Sequence, residues 1–308
     1  MDEVFKIRRM REAFNGASGA QKLDDLFIHF FFESGIDNFT VNQDELDFVV
    51  KVDAKMVQEK TRRAIEGSGP KGPISILVKN GISYKIGDLT SLRIPMHRYI
   101  FLKFRYIGND FNSDLAILLF RYQVLGGHNQ HYAMPPFLLI ELEIDVELFG
   151  TPLNTSVNYC SPYPEIESKF GSLGNFFDYK FQNGLRYTWN PPYINALMER
   201  ALDHLLSGLA DLDEYYVVCV IPIWDPETQT KFGLKNYKIP FPTYYKLKQV
   251  ASSVAHGLKS DHQYYNYFRD EFFPISHTHI VVLNRGMTGH TAQEIHDLWK
   301  SLSHSKIE

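Results

Sequence analysis

Apolar residues in the first part of this chain recur at intervals of three and four, and later in short unbroken or alternating runs. The first spacing marks one face of a helix with 3.6 residues per turn; the second marks strands. Residues 4–14 and 23–32 therefore predict helices. Residues 44–65 predict a third, with Leu46, Val49, Val50, Met56 and Val57 inward and Lys51, Lys55, Glu59 and Lys60 outward. Residues 67–73, rich in glycine and proline, break the pattern. They lack the Gly-Lys-Ser/Thr ending and following helix of a phosphate loop, and read as a linker. Asn80-Gly81 between the apolar runs 74–78 and 82–86 predicts a hairpin. Helices are expected over 89–106 and 115–125, and Gly126-Gly127 closes this part.

Beyond it, strand and helix alternate. A helix to about residue 144 follows Pro135-Pro136, and a strand over 146–149 runs into Gly150. A strand over 185–188 precedes a helix over 194–202, with Ile194, Leu197, Met198 and Leu202 on one face. Residues 215–223 form a continuous apolar run, the mark of a strand buried on both faces. A late strand over 278–283 and a closing helix over 291–302 around Trp299 complete the pattern. Such alternation predicts an α/β fold. Two domains are expected, mainly helical over 1–125 and α/β over 126–308.

Composition narrows the function. With 44% hydrophobic residues, 18 Tyr and 23 Phe, the chain is rich enough to build a folded core. A net charge of −4 argues against a general nucleic-acid coat, so any such contact is local. Cys160 and Cys219 give neither a disulfide framework nor a zinc spacing, which points to a reducing intracellular compartment. His277 and His279 alternate without a third ligand, so no metal site is expected. The apolar run 26–32 is too short to span a bilayer, and Met1-Asp2-Glu3 is unlike a signal peptide.

The chemistry concentrates in Trp189-Asn190-Pro191-Pro192-Tyr193, at a strand-to-helix turn. In open α/β sheets, ligands bind off the carboxyl ends of strands at such turns. Pro191 and Pro192 fix two φ angles and remove two N–H donors. Asn190 adds a side-chain carbonyl and Tyr193 a flat ring. These groups suit the 6-amino group of adenine, whose lone pair is delocalised into the ring. Two carbonyls accepting its hydrogens favour a tetrahedral nitrogen, whose lone pair can then meet the methyl of S-adenosyl-L-methionine. The sulfonium is already activated, so geometry and electrostatics suffice without a metal or strong base. Asp178, just before this strand, is a candidate for the cofactor's adenine amine, and Glu165 or Glu167 for its ribose. Trp224, after the run 215–223, either faces the pocket or closes the core. Residues 231–248 mix basic and aromatic side chains, including Lys235, Tyr237, Lys238, Tyr244, Tyr245 and Lys246.

Several ordered segments are similar to the phosphorylated-CTD-interacting-factor family. They are Arg121-Tyr122, Gly126-Gly127, His131, Pro135, Glu147-Leu148-Phe149-Gly150-Thr151-Pro152-Leu153-Asn154, Tyr159-Cys160-Ser161, Phe170-Gly171-Ser172, Asp178, Asn190-Pro191-Pro192-Tyr193 and Ile221-Pro222-Ile223-Trp224. The resemblance covers residues 115–285. It implies a Rossmann-type class I methyltransferase sheet, S-adenosyl-L-methionine as cofactor, and N6-methylation of the 2′-O-methyladenosine next to a 7-methylguanosine cap. It also implies a cap pocket between the two domains. The cofactor set implied is Pro135, Glu147, Gly150, Thr151, Pro152, Leu153, Asn154, Glu165, Gly171, Ser172 and Asp178. Candidates for the capped RNA are Trp224, Arg93, Arg98, Lys103, Arg105 and Lys238.

Two departures stand out. Cap-specific members end the motif in Phe, whereas Tyr193 is also the usual ending in DNA adenine methyltransferases. Trp189, Trp224 and Trp299 are not paired at WW spacing, so WW-mediated binding to the polymerase tail is not expected. A DNA or internal-RNA adenine N6-methyltransferase and a non-catalytic RNA-binding relative are the competing readings.

Overall fold

Asn80 and Gly81 both take positive φ, at 54° and 123°. They reverse the chain between β1 (Ser75–Val78) and β2 (Ile82–Ile86), which pair antiparallel as the sequence predicts. A computed structural model describes residues 2–18, 27, 40–41, 43, 53–63, 73–125, 132–234, 241–267, 269 and 271–304. It divides into two compact units, Met1–His128 and Asn129–Glu308. The predicted helix over 23–32 apart from Phe27, all of 44–52, the linker glycines, Gly126-Gly127, His131, Lys235, Tyr237 and Lys238 lie outside the described residues.

In the first unit, helices Asp2–Ser18, Ala54–Arg63, Met96–Arg105 and Phe111–Leu125 accompany the sheet of β1, β2 and β3 (Leu89–Thr90). The single helix expected over 89–106 is divided. Leu89–Thr90 pairs with β2, and Ile94 bridges to Ile82 before Pro95 opens the helix. Proline disfavours helical backbone in the residue before it, so Ile94 stays extended. Helix Phe111–Leu125 starts four residues earlier than expected, where Asp110 Oδ1 accepts from Ser113 N at 3.2 Å and caps it.

The second unit is built on a six-stranded sheet ordered β6-β5-β7-β8-β12-β9. Its strands are β5 (Val146–Glu147), β6 (Asn158–Tyr159), β7 (Leu185–Trp189), β8 (Tyr215–Pro222), β9 (Ser253–Gly257) and β12 (Thr278–Arg285). The first four in that list lie parallel; β12 runs antiparallel to both β8 and β9. A small antiparallel sheet joins β4 (Tyr132–Ala133), β10 (Tyr264–Asn266) and β11 (Glu271–Phe273). The continuous apolar run expected to be a doubly buried strand is β8, buried from Tyr216 to Pro222.

Period-two alternation in the strands splits the core into two layers. On one side Tyr187, Trp189, Val217, Cys219 and Ile221 meet Met198, Leu202 and Leu205 of helix Asn195–Leu209, with Tyr244 and Leu247 of helix Pro242–Val250. On the other, Val218, Val220, Ile280 and Val282 meet Leu138 and Leu139 of helix Pro136–Glu141, with Ile295 and Trp299 of helix Ala292–His304. Helix Asn195–Leu209 begins at Ile194 without a side-chain cap and runs seven residues past the predicted end. Six of its side chains are buried, Leu197, Met198, Ala201, Leu202, Leu205 and Leu209. At about 1.5–3 kcal/mol for each large apolar side chain, that burial far outweighs a missing cap worth about 1 kcal/mol.

The helix expected to reach residue 144 stops at Glu141. Glu143 takes φ 53°, and Ile144 N donates back to Leu139 O at 2.9 Å, a left-handed stop. Strands β6, β9, β10 and β11 have no counterpart in the sequence pattern. No helix among the described residues is long and apolar enough to cross a membrane.

Candidate active site

Four carboxyl-terminal strand ends meet on one edge of the six-stranded sheet. After β5 the chain turns through Phe149 and Gly150, after β6 through Cys160 and Ser161, after β7 through Asn190 to Tyr193, and after β8 through Ile223 and Trp224. Aromatic side chains lock these loops together. Phe149 packs against Phe176 at 4.5 Å between ring centroids and edge-on to Trp189 at 6.5 Å. Tyr193 meets Trp224 edge-on at 6.2 Å. The loop after β5, the turn that carries Asp178 and the Asn-Pro-Pro-Tyr turn are thereby joined.

Within the turn, Pro192 O accepts from Ile194 N at 2.7 Å. That carbonyl is committed to the helix start. The half-buried Asn190 side chain and the Pro191 carbonyl accept no hydrogen bond among the described residues. Both can accept a hydrogen bond from a ligand. Tyr193 is half-buried, and its hydroxyl lies 2.9 Å from that of Tyr264.

The loop after β5 is held by its own side chains. Asn154 Oδ1 accepts from Thr151 N at 2.7 Å and from Thr151 Oγ1 at 2.9 Å, and Thr151 Oγ1 accepts from Leu153 N. Pro152, Leu153 and Asn154 are buried. Asn154 and Thr151 thus shape the loop, and their side-chain oxygens are engaged within it. Gly150 has a reason other than ligand approach: a Cβ there would sit 2.7 Å from Tyr159 Cβ, so the close packing of β5 on β6 demands glycine. Ser172 shares a 2.6 Å contact with Ser161 and accepts from Gly174 N, while Gly171 ends the turn Ser168–Phe170. Both hold the segment 171–174 against the end of β6.

The acids separate clearly. Asp178 is exposed at the end of the turn Phe176–Asp178, and no protein donor reaches its carboxylate among the described residues. Glu165 is exposed on the short helix Pro164–Glu167, whereas Glu167 is buried and accepts from Tyr163 N. Glu147 is buried beside β7, opposite Thr188. Pro135 is buried, and its carbonyl accepts from Leu138 N and Leu139 N at the start of helix Pro136–Glu141. A carboxylate, open amide and carbonyl acceptors, and aromatic walls at one sheet edge suit a cationic, adenine-bearing cofactor.

Among the cation candidates, Arg98 is 3% exposed with its guanidinium 4.4 Å over the Phe101 ring, and half-buried Arg105 approaches the same ring. Arg93 and Lys103 are exposed. Trp224 is half-buried; it packs on Phe241 at 5.4 Å between ring centroids and meets Tyr193 edge-on. Burial pushes the Cys160 thiol up to about 12 and the Cys219 thiol higher, so neither serves as a nucleophile near neutral pH. The described residues hold no cluster of three or more His, Cys, Asp or Glu fit for a metal ion.

Beside the site lies a buried relay that the sequence pattern did not reveal. Asp225 Oδ2 lies 2.7 Å from His279 Nε2, and His279 Nδ1 lies 3.0 Å from His256 Nδ1. Tyr244 stacks on His279 at 3.8 Å. Burial pushes His279 down and outweighs the raising effect of Asp225; burial and neighbouring His279 push His256 down to about 4. Burial would raise Asp225, but hydrogen bonds from His279 and Thr228 prevail and hold it at about 2. Carboxylate and two neutral imidazoles are then consistent only if Nε2–H of His279 donates to Asp225 and Nδ1–H of His256 donates to His279. His279 is fully buried and held between Asp225 and His256.

A family profile described as "Phosphorylated CTD interacting factor 1 WW domain" matches residues 103–258, more than half of the chain. That stretch contains β4 to β9, with Trp189 inside a parallel strand of the large sheet. The chain is 26% identical over 227 residues to a Mus musculus protein named mRNA (2′-O-methyladenosine-N(6)-)-methyltransferase, covering 64% of this chain and 31% of that protein. It is 25% identical over 210 residues to the Homo sapiens protein of the same name, covering 60% and 29%. The chain thus spans about a third of the length of these relatives. The matched profile, carried by the segments that build the sheet edge, shows that the chain belongs to the phosphorylated CTD interacting factor 1 family.

Proposed function

We propose that the unit Asn129–Glu308 is a class I, Rossmann-type methyltransferase that uses S-adenosyl-L-methionine to methylate N6 of a cap-adjacent adenosine in mRNA. The observation that carries the reading is a pair of acceptors that take no hydrogen bond among the described residues, the Asn190 side chain and the Pro191 carbonyl, next to Tyr193 at the end of β7. The strand order supports the fold: four parallel strands, then β12 inserted antiparallel before β9. The names of the relatives support the substrate.

The cofactor supplies an activated methyl group. Asn190 Oδ1 and the Pro191 carbonyl accept the two amine hydrogens and hold the nitrogen lone pair toward that methyl. Tyr193 carries the adenine on its ring, a contact worth about 1–3 kcal/mol. Trp224 fixes the tilt of that ring from the side. A first transcribed nucleotide sits at a chain end and enters without leaving a duplex stack, which avoids a cost of a few kcal/mol. Asp178 accepts from the cofactor's adenine amine. Asp178→Ala is expected to weaken S-adenosyl-L-methionine binding about tenfold or more, the loss of a hydrogen bond to a charged group. Calorimetry measures it; an unchanged dissociation constant returns Asp178 to the solvated surface.

The substrate test is a panel of short RNAs beginning with capped adenosine, capped guanosine or uncapped adenosine, with single- and double-stranded DNA of matched sequence. The reading expects capped adenosine to be preferred by about an order of magnitude or more, about 1.4 kcal/mol. Equal or better turnover of uncapped RNA or DNA would remove the cap and leave an adenine methyltransferase.

A further inference from the structure

The phenol of Tyr193 ends in a buried chain of hydroxyls. Its oxygen lies 2.9 Å from the Tyr264 hydroxyl, which lies 2.9 Å from Thr278 Oγ1. Thr278 Oγ1 in turn lies 3.2 Å from the Ser276 carbonyl and 3.2 Å from His262 Nε2. Thr278 Oγ1 also lies 3.3 Å from Ser276 Oγ. Each hydroxyl of the chain has one proton to give and lone pairs to accept, so Tyr193, Tyr264 and Thr278 are hydrogen-bonded in series whichever oxygen donates. Burial lifts the Tyr193 phenol well above its ordinary range, so it keeps its proton.

Tyr264 is a rigid anchor. It is 2% exposed on β10, edge-on to Trp299 at 5.1 Å and tilted against His262 at 5.6 Å. Thr278, the other end of the chain, is the first residue of β12 and is fully buried. The Tyr193 ring is therefore gripped at two places, by Tyr264 at its hydroxyl and by Trp224 at its side. The hydroxyl is spent inside the protein, and only the ring is left for a substrate. A Phe at position 193 would keep the ring and lose the grip.

We propose that Tyr264 is a positioning residue for methyl transfer: it fixes the angle of the Tyr193 ring, and so of the adenine stacked on it. This rests on the reading of Tyr193 given above. The effect should appear in turnover, because a tilted base misaligns its nitrogen with the methyl while the cofactor remains bound.

The test is a double-mutant cycle of Tyr193→Phe, Tyr264→Phe and both together. It is read as kcat and KM on RNA beginning with capped adenosine, the dissociation constant of S-adenosyl-L-methionine, and the melting temperature. Each single variant is expected to lower kcat about fivefold, the scale of one hydrogen bond. The double variant should be no slower than either single, because each already removes the Tyr193–Tyr264 contact. Cofactor affinity should stay at the wild-type value, and Tyr193→Ala should lose far more activity than Tyr193→Phe. Losses that multiply in the double variant, or a Tyr264→Phe variant that melts lower but turns over at the wild-type rate, would overturn the assignment alone. Wild-type protein inactive on every nucleic acid of the panel would overturn the assignment together with the function beneath it.

Discussion

Replacing Asn190 with alanine is expected to cut methyl transfer by about two to three orders of magnitude, about 2.7–4 kcal/mol, the scale of losing one preorganised polar group that acts in a transition state. Of the two acceptors proposed for the amine, the side-chain carbonyl is the one that a point substitution can remove, since Pro191 contributes its backbone. It carries no protein hydrogen bond among the described residues, so its loss orphans nothing inside the fold. The melting temperature and the calorimetric affinity for S-adenosyl-L-methionine should therefore remain close to wild type while turnover collapses. Wild-type turnover in Asn190→Ala would refute the role of this amide. A fall in cofactor affinity equal to the fall in turnover would reassign Asn190 from the amine to the cofactor.

The largest loss of stability is expected at Asp225. Its carboxylate does two jobs: Oδ1 accepts from Thr228 N at 2.8 Å to cap helix Pro226–Lys231, and Oδ2 accepts from His279 at 2.7 Å. Asp225→Ala leaves the buried His279 N–H without an acceptor, at about 1–3 kcal/mol. Losing the cap costs about 0.5–2 kcal/mol more. Urea denaturation should show a deficit of about 1.5–5 kcal/mol on the same principles. Asp225→Asn keeps an oxygen for the cap and should lose clearly less. Equal losses in both variants would mean that the relay with His279 contributes nothing.

Buried imidazoles set the response to acid. His256 and His262 are held at about 4 in the folded protein, each chiefly by burial, against an ordinary value near 6.5. Below pH 6.5 the unfolded chain therefore binds protons that the folded chain refuses, and stability falls with falling pH. The loss runs from about pH 6.5 to about 4 for the two imidazoles. It continues below 3.8 as Asp225, held at about 2, is the last to protonate. Urea midpoints measured at pH 7, 5.5 and 4.5 should decline in that order. A flat profile would show that these imidazoles are solvated.

Local chemistry made much of this protein readable before any fold was drawn. Asn80-Gly81 names its hairpin because both residues accept positive φ. Residues 215–223 name a doubly buried strand because no polar side chain interrupts them. The Asn-Pro-Pro-Tyr turn is legible because proline stiffness, an amide and a ring are properties of single residues, and the strand and helix around it lie where the periodicity puts them.

What the sequence could not say concerns pairings between distant residues. Strands β6 and β10, of two and three residues, carry too few positions for a period and exist only through their partners β5, β4 and β11. Gly150, named among the cofactor residues, also leaves room for Tyr159, a need invisible in the sequence because the neighbouring strand arrives from outside its own loop. Asp225, His256 and His279 are separated by more than twenty residues at each step, and Tyr193 and Tyr264 by seventy-one. Hydrogen bonds at that separation are set by sheet order, not by spacing along the chain. The residue types of the candidate site were thus determined locally; how tightly its ring is held, and which of its acids are buried, was decided by tertiary packing.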